Sequence, residues 1–187
     1  RPVSTGFFSR SGGFVGFGLQ TLLARGPAPL IGVDFSASSV KVVELSPGKQ
    51  APMRLERYAI EPIERGAVVD GNVERHEAVA DALLRALRKT GSSTKQVAMA
   101  LPSSSVITKR ITLPADLKED DYEVQVESEA SQYIPFAIDE VNLDFQVLGP
   151  SANSEDSVDV LLAASRKEKV DDRVMVAELA GLKPVII

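Results

Sequence analysis

The order of its periodic segments constrains this chain more than any single motif. From Leu30 three strand patterns follow one another, "LIGVD" (30–34), "VKVVEL" (40–45) and "MRLERYAIE" (53–61), with "SPGKQAP" supplying Pro and Gly for the second turn. In "ERHEAVADALLRALRKTG" (74–91), Val79, Leu83, Ala86 and Leu87 then recur at helical spacing. Arg85, Arg88 and Lys89 fall in the last turn, and Gly91 stops the helix. "VAMALP" (97–102) has no polar alternation and reads as a fully buried strand. The order to this point is βββαβ.

A different texture fills residues 103–164. "VITKRITL" (106–113) alternates as a strand, with Lys109 as the exception on its apolar face. After Pro114, Asp116 and Glu119 have the spacing of a capping box, and Tyr122, Val126, Ala130 and Tyr133 form a helical stripe that Pro135 ends. "VNLDFQVL" (141–148) and "VDVLLAA" (158–164) complete a βαββ unit. The first texture then resumes: Ser165 and Glu168 make a second capping box, Val170, Val174 and Ala177 a stripe, Gly181 a stop, and "KPVII" a strand. Leaving out residues 103–164 gives βββαβαβ, the order of a ribonuclease-H-like half-domain in the α/β class. The expected organisation is a flexible or extraneous tail over residues 1–29, a core subdomain over 30–102, an inserted βαββ subdomain over 103–164, and a truncated continuation of the core over 165–187.

Composition narrows the chemistry. A hydrophobic content of 44% in 187 residues suffices for a core. The absence of cysteine excludes disulfides and thiolate metal sites, and the single histidine, His76, argues against a histidine-based metal centre. A net charge of −5 with no Lys/Arg cluster disfavours nucleic acid as a partner. The first thirty residues carry three arginines and no acid, with Phe and Gly interleaved. Gly12, Gly13, Gly16 and Gly18 break the apolar run a signal peptide needs, so the tail reads as translated upstream sequence or as a membrane-surface or partner-binding arm. No stretch has the ~20 apolar residues of a transmembrane helix. An initial Arg and a final apolar run read as the ends of a fragment.

Three segments carry candidate function. "IGVDFSASSVKVVEL" (31–45) places an aspartate, three serines and a lysine around a turn, which suits phosphate capture by hydroxyls and successive amides, although Asp and Ser between strands also make an ordinary turn. Between Asp116 and Glu140 lie nine acids and one base, either a solvated face or a dock for a basic partner. Glu119, Asp120, Asp121 and Glu123 fan around the helix, so no catalytic diad is expected. "QYIPFAID" is either a helix stop packed on its own sheet or one wall of a groove for a short peptide.

The element order together with "IGVDFSASSVKVVEL" resembles the first phosphate motif of the actin-like ATPase superfamily. A βαββ (SHS2-like) insert at this position resembles the FtsA-related branch, and "ESEASQYIPFAIDEVNLDFQVLG" (127–149) resembles the PilM family of type IV pilus assembly proteins, over about residues 28–187. The resemblance implies an ATP and Mg2+ site whose first half is present here. Asp34 would act on magnesium through water, Ser36, Ala37, Ser38 and Ser39 would form the phosphate cradle, and Lys41 would be a counter-charge. Ser36 stands where most of the superfamily has Gly. The resemblance also implies a cytoplasmic adaptor, peripheral at the bacterial inner membrane and part of the pilus assembly platform. It would bind the cytoplasmic tail of a PilN-type inner-membrane protein in a cleft between core and insert, with Ile134, Pro135 and Phe136 as wall residues. ATP hydrolysis would be weak at most, and the fragment alone is not expected to be catalytic. The alternative is an FtsA-like polymerising division protein at the membrane, for which self-association is expected.

Overall fold

The computed structural model describes residues 30–46, 53–152 and 154–187, the side chains of residues 119 and 120 excepted. The tail expected over 1–29 and most of the turn "SPGKQAP" lie outside the described residues. Two compact units result, one holding the described residues up to Ala100 together with Arg173–Ile187, the other Leu101–Asp172.

In the first unit, β1 (Ile31–Phe35), β2 (Ser39–Ser46) and β3 (Arg54–Pro62) form an antiparallel meander. Helix α1 (His76–Thr90) then leads to β6 (Gln96–Met99), and α3 (Lys167–Leu179) to β10 (Lys183–Ile186). The sheet order is β10-β6-β1-β2-β3, with β1, β6 and β10 mutually parallel. Parallel neighbours require crossover connections, which α1 and the path through the insert and α3 provide. This is the ribonuclease-H-like arrangement expected from the element order.

Alternation decides which face of the sheet is covered. Ile31, Val33, Val40, Val42, Ala59, Val97 and Met99 are buried and share one face, against which α1 contributes Val79, Leu83 and Ala86. Each such side chain, fully buried, contributes about 1.5–3 kcal/mol if it is a Val, Leu or Ile. The opposite face of β2 and β3 presents Val43, Leu45, Leu55, Tyr58 and Ile60 exposed. Helix α1 ends as its sequence requires: Gly91 adopts φ 62° and its amide donates to Leu87 O.

Between β3 and α1 lies a small hairpin absent from the sequence reading, β4 (Val68–Val69) and β5 (Asn72–Val73). Its two-residue turn, Asp70-Gly71, has φ 49° and 81°, the left-handed pair of a type I′ hairpin.

In the second unit β7 (Val106–Pro114), β9 (Ser154–Arg166) and β8 (Val141–Ser151) form an antiparallel sheet in the order β7-β9-β8. Its core joins Ile111, Leu113, Val160, Leu162 and Ala164 to Val126, Ala130 and Ile134, so α2 (Glu119–Ala130) covers one face. Both expected capping boxes fail. Lys118 is the N-cap of α2, which leaves Asp116 in the preceding turn. Ser165 still belongs to β9, and its hydroxyl donates to Ser105 O (2.8 Å) instead of starting α3. Of the stripe expected on α3, Val170 and Ala177 are buried and Val174 only partly so, and Arg173 and Val176 are buried beside them.

Candidate functional site

The phosphate-turn residues sit where β1 turns into β2. Asp34 pairs with Lys41 and Phe35 with Val40 across the hairpin, which leaves Ala37 and Ser38 as a two-residue exposed loop between Ser36 and Ser39. The Ser36 amide donates to Ser39 O (3.0 Å), the Ser36 hydroxyl reaches the same carbonyl (3.4 Å), and the Ile63 amide holds Ser38 O (2.9 Å). Among the described non-glycine residues only Asp70 has positive φ, so Ser36 occupies its position without the backbone freedom of glycine. With the Ser36 amide committed to the hairpin, an anion would be offered the amides of Ala37 and Ser38 and the serine hydroxyls.

Asp34 and Lys41 are brought together more tightly than the sequence suggested. Lys41 Nζ lies 3.1 Å from Asp34 Oδ2, both side chains about half exposed, on the sheet face opposite α1. No group of three or more His, Cys, Asp or Glu among the described residues could hold a metal ion. A lone carboxylate of this kind fits a magnesium ion that keeps its waters and is bound chiefly through phosphates.

Directly behind the turn is a residue that sequence reasoning missed. Arg173 is 1% exposed, its guanidinium carbon lies 4.9 Å from the centroid of the Phe35 ring, and Nη2 donates to Gly71 O (3.0 Å). The available signal was an arginine at helical spacing inside the apolar face of α3.

The rest of the first unit is fastened by carboxylates. Glu61 is buried with Lys89 against it and Arg85 3.6 Å away; the Lys89 ammonium chiefly holds its carboxyl below the usual range. Glu44 is held low chiefly by the Ser92 hydroxyl, with Arg57 (3.1 Å) and Thr94 (3.2 Å) also on it, which ties β2 to the loop after α1. On the exposed end of β3, Arg54 and the Ser46 hydroxyl bring Glu56 down to about 2.

The three peptide-wall residues part company. Ile134 is 5% exposed inside the core of the second unit, its amide bonded to Ala130 O (3.0 Å), whereas Pro135 and Phe136 are exposed. Arg166 lies 5.3 Å over the Phe136 ring and Lys109 4.8 Å over that of Tyr133. The second contact accounts for a lysine on the apolar face of β7: its stem follows the sheet and its ammonium finds an aromatic face. Asp121, Glu123 and Glu127 on α2 face solvent.

Comparison with known proteins agrees with this geometry. The sequence model of the family described as type IV pilus assembly protein PilM matches residues 32–187. The solved structure described as the PilM-PilN type IV pilus biogenesis complex superposes with a TM-score of 0.74 at 33% sequence identity, covering 84% of this chain and 46% of that one. The cytoplasmic domain of EpsL, an inner membrane component of the type II secretion system of Vibrio cholerae, gives 0.50 at 12% identity, covering 86% of this chain and 56% of that chain, a likeness of fold alone. The chain thus spans about half the length of these solved relatives. With a match running from β1 to its last residue, it belongs to the PilM family of type IV pilus assembly proteins.

Proposed function

We propose that this protein is an ATP-binding adaptor of type IV pilus assembly that grips the cytoplasmic tail of a PilN-type inner-membrane protein. The observation that carries the reading is the 33% identity over 84% of the chain to a protein solved as a PilM-PilN complex. No helix among the described residues is long and apolar enough to cross a membrane, which agrees with attachment through a partner at the cytoplasmic face of the inner membrane. Pro135 and the Phe136 ring, exposed on the insert, supply apolar surface for a short peptide.

The β1–β2 turn is the phosphate-facing half of the nucleotide site in this reading. Asp34 faces magnesium through water, Ser36, Ala37, Ser38 and Ser39 offer hydroxyls and turn amides to the phosphates, and Lys41 exchanges Asp34 for a phosphate oxygen. When bound, Mg-ATP supplies the anion that this turn needs; the remaining contacts belong to the half of the fold that this chain does not span. In this reading ATP is bound for structural rigidity and is hydrolysed weakly at most. The test is a titration of a labelled PilN-type tail peptide into this chain and into the full-length protein. Saturable binding by the full-length protein is expected, and its absence would sink the adaptor reading.

A further inference from the structure

We infer that Arg173 is the positioning residue of the phosphate turn: stacked under Phe35 and bonded to Gly71 O, it holds the end of β1, and with it the Asp34–Ser39 turn, in the conformation that receives phosphates. The inference rests on the phosphate reading proposed above and adds a residue from a distant part of the chain to it.

A guanidinium is among the groups least willing to leave water, yet Arg173 is 1% exposed in the middle of the buried face of α3, between Val170 and Val176. An apolar side chain of similar volume would fill that space without demanding partners. What the guanidinium adds is a double attachment, since its carbon lies 4.9 Å over the Phe35 ring while Nη2 donates to Gly71 O (3.0 Å). Gly71 is the second turn residue of the Asp70-Gly71 hairpin, whose left-handed geometry presents that carbonyl in one direction.

Phe35 is the last residue of β1, flanked in the chain by Asp34 and Ser36, the two candidates that open the turn. Fixing its ring fixes the backbone from which both project. The turn is further restrained by the two Ser36 bonds to Ser39 O, by the Ile63 amide on Ser38 O, and by the Asp34–Lys41 and Phe35–Val40 pairs across the hairpin. Arg173 adds to these a contact on the Phe35 ring, at the residue where β1 ends. Such preorganisation favours a ligand by removing ordering that would otherwise accompany binding.

A residue of this kind differs from a merely structural one in what it spares. The full-length protein and its Arg173→Met, Arg173→Lys and Phe35→Leu variants are titrated with Mg-ATP, and with AMP by competition. Arg173→Met is expected to weaken Mg-ATP about tenfold and to leave AMP unchanged. Phe35→Leu is expected to show the same pattern, and the double variant to be no worse than Arg173→Met, because both remove one clamp. Arg173→Lys, which keeps the charge but not a forked head that reaches both Phe35 and Gly71 O, is expected to stay weak. Equal losses for ATP and AMP, unchanged ATP affinity, or full recovery with lysine would each overturn the positioning role. Should Arg173→Met not fold, Phe35→Leu carries the comparison. Failure of the unmodified protein to bind Mg-ATP would instead overturn the phosphate reading itself, and this inference with it.

Discussion

Lys41 and Asp34 face each other across the β1–β2 hairpin, directly paired in register and joined by an ion pair of 3.1 Å between half-exposed side chains. A pair this exposed is worth about 1 kcal/mol or less to the fold. Its two members can therefore turn to a ligand at little cost to stability. Asp34→Ala is expected to weaken Mg-ATP binding by the full-length protein about ten- to hundredfold, the loss of a charge-assisted contact of about 1.5–3 kcal/mol. Thermal unfolding should move by no more than the exposed pair is worth. Calorimetric titration beside a melting curve checks both, and unchanged affinity removes Asp34 from the site.

Ile134 and Phe136 separate packing from recognition within three residues. Ile134→Ala empties a position 5% exposed among Val126, Leu162 and Ala164, and is expected to cost about 2–4 kcal/mol in denaturant unfolding. Phe136→Glu replaces a half-open ring with a group that still attracts Arg166, so its stability change should stay within about 1 kcal/mol. Tail-peptide binding should nevertheless fall sharply. If the peptide binds Phe136→Glu as it binds the unmodified protein, the wall lies elsewhere.

Acid should unfold the first unit through carboxylates whose folded values are depressed. Lys89 on Glu61, and the Ser92 hydroxyl on Glu44, favour the charged forms and hold both below the ordinary 4.5. Their contribution is then fully present above pH 4.5 and is lost as pH falls through the lower, folded values. Glu61→Gln, neutral at every pH, should make stability less dependent on pH in that acid window while leaving the dependence near neutrality unchanged. Denaturant midpoints measured from pH 7 down to pH 3 test this, and an unaltered acid limb would show that Glu61 does not contribute to it.

The sequence made the element order legible because periodic segments announce themselves: α1 carries its own stripe and stop, β8 alternates, and β7 alternates with Lys109 as its one exception. Short-range polar signals were less dependable. The Ser165 hydroxyl had the spacing of a cap, but a carbonyl sixty residues away, that of Ser105, takes it. The stripe of α3 is legible at Val170 and Ala177 but not at Arg173 between them, since pattern reasoning counts arginine as solvated. The turn residues of the candidate site were readable from β1 and β2 alone, whereas the support behind them was not, since Phe35 and Arg173 meet only through the tertiary fold.

The Asp70-Gly71 hairpin offers the sharpest test of backbone geometry. Its strands are two residues each, too short for alternation to show, although "VVDGNV" carries the Asp-Gly signature of a type I′ turn. At φ 81°, Gly71 lies where a Cβ meets the following carbonyl, so Gly71→Ala is expected to cost about 1–2 kcal/mol. Asp70→Gly, by contrast, relieves a non-glycine residue at φ 49° and should be nearly neutral, the gain in local conformation offset by a more flexible unfolded chain. Because Gly71 O accepts the Arg173 bond, Gly71→Ala should also loosen Arg173 from Phe35. Proton NMR of the Arg173 side chain, shifted by the ring current of Phe35 in the unmodified protein, would follow that loosening. Unchanged Arg173 shifts alongside lowered stability would mean that hairpin and clamp are independent.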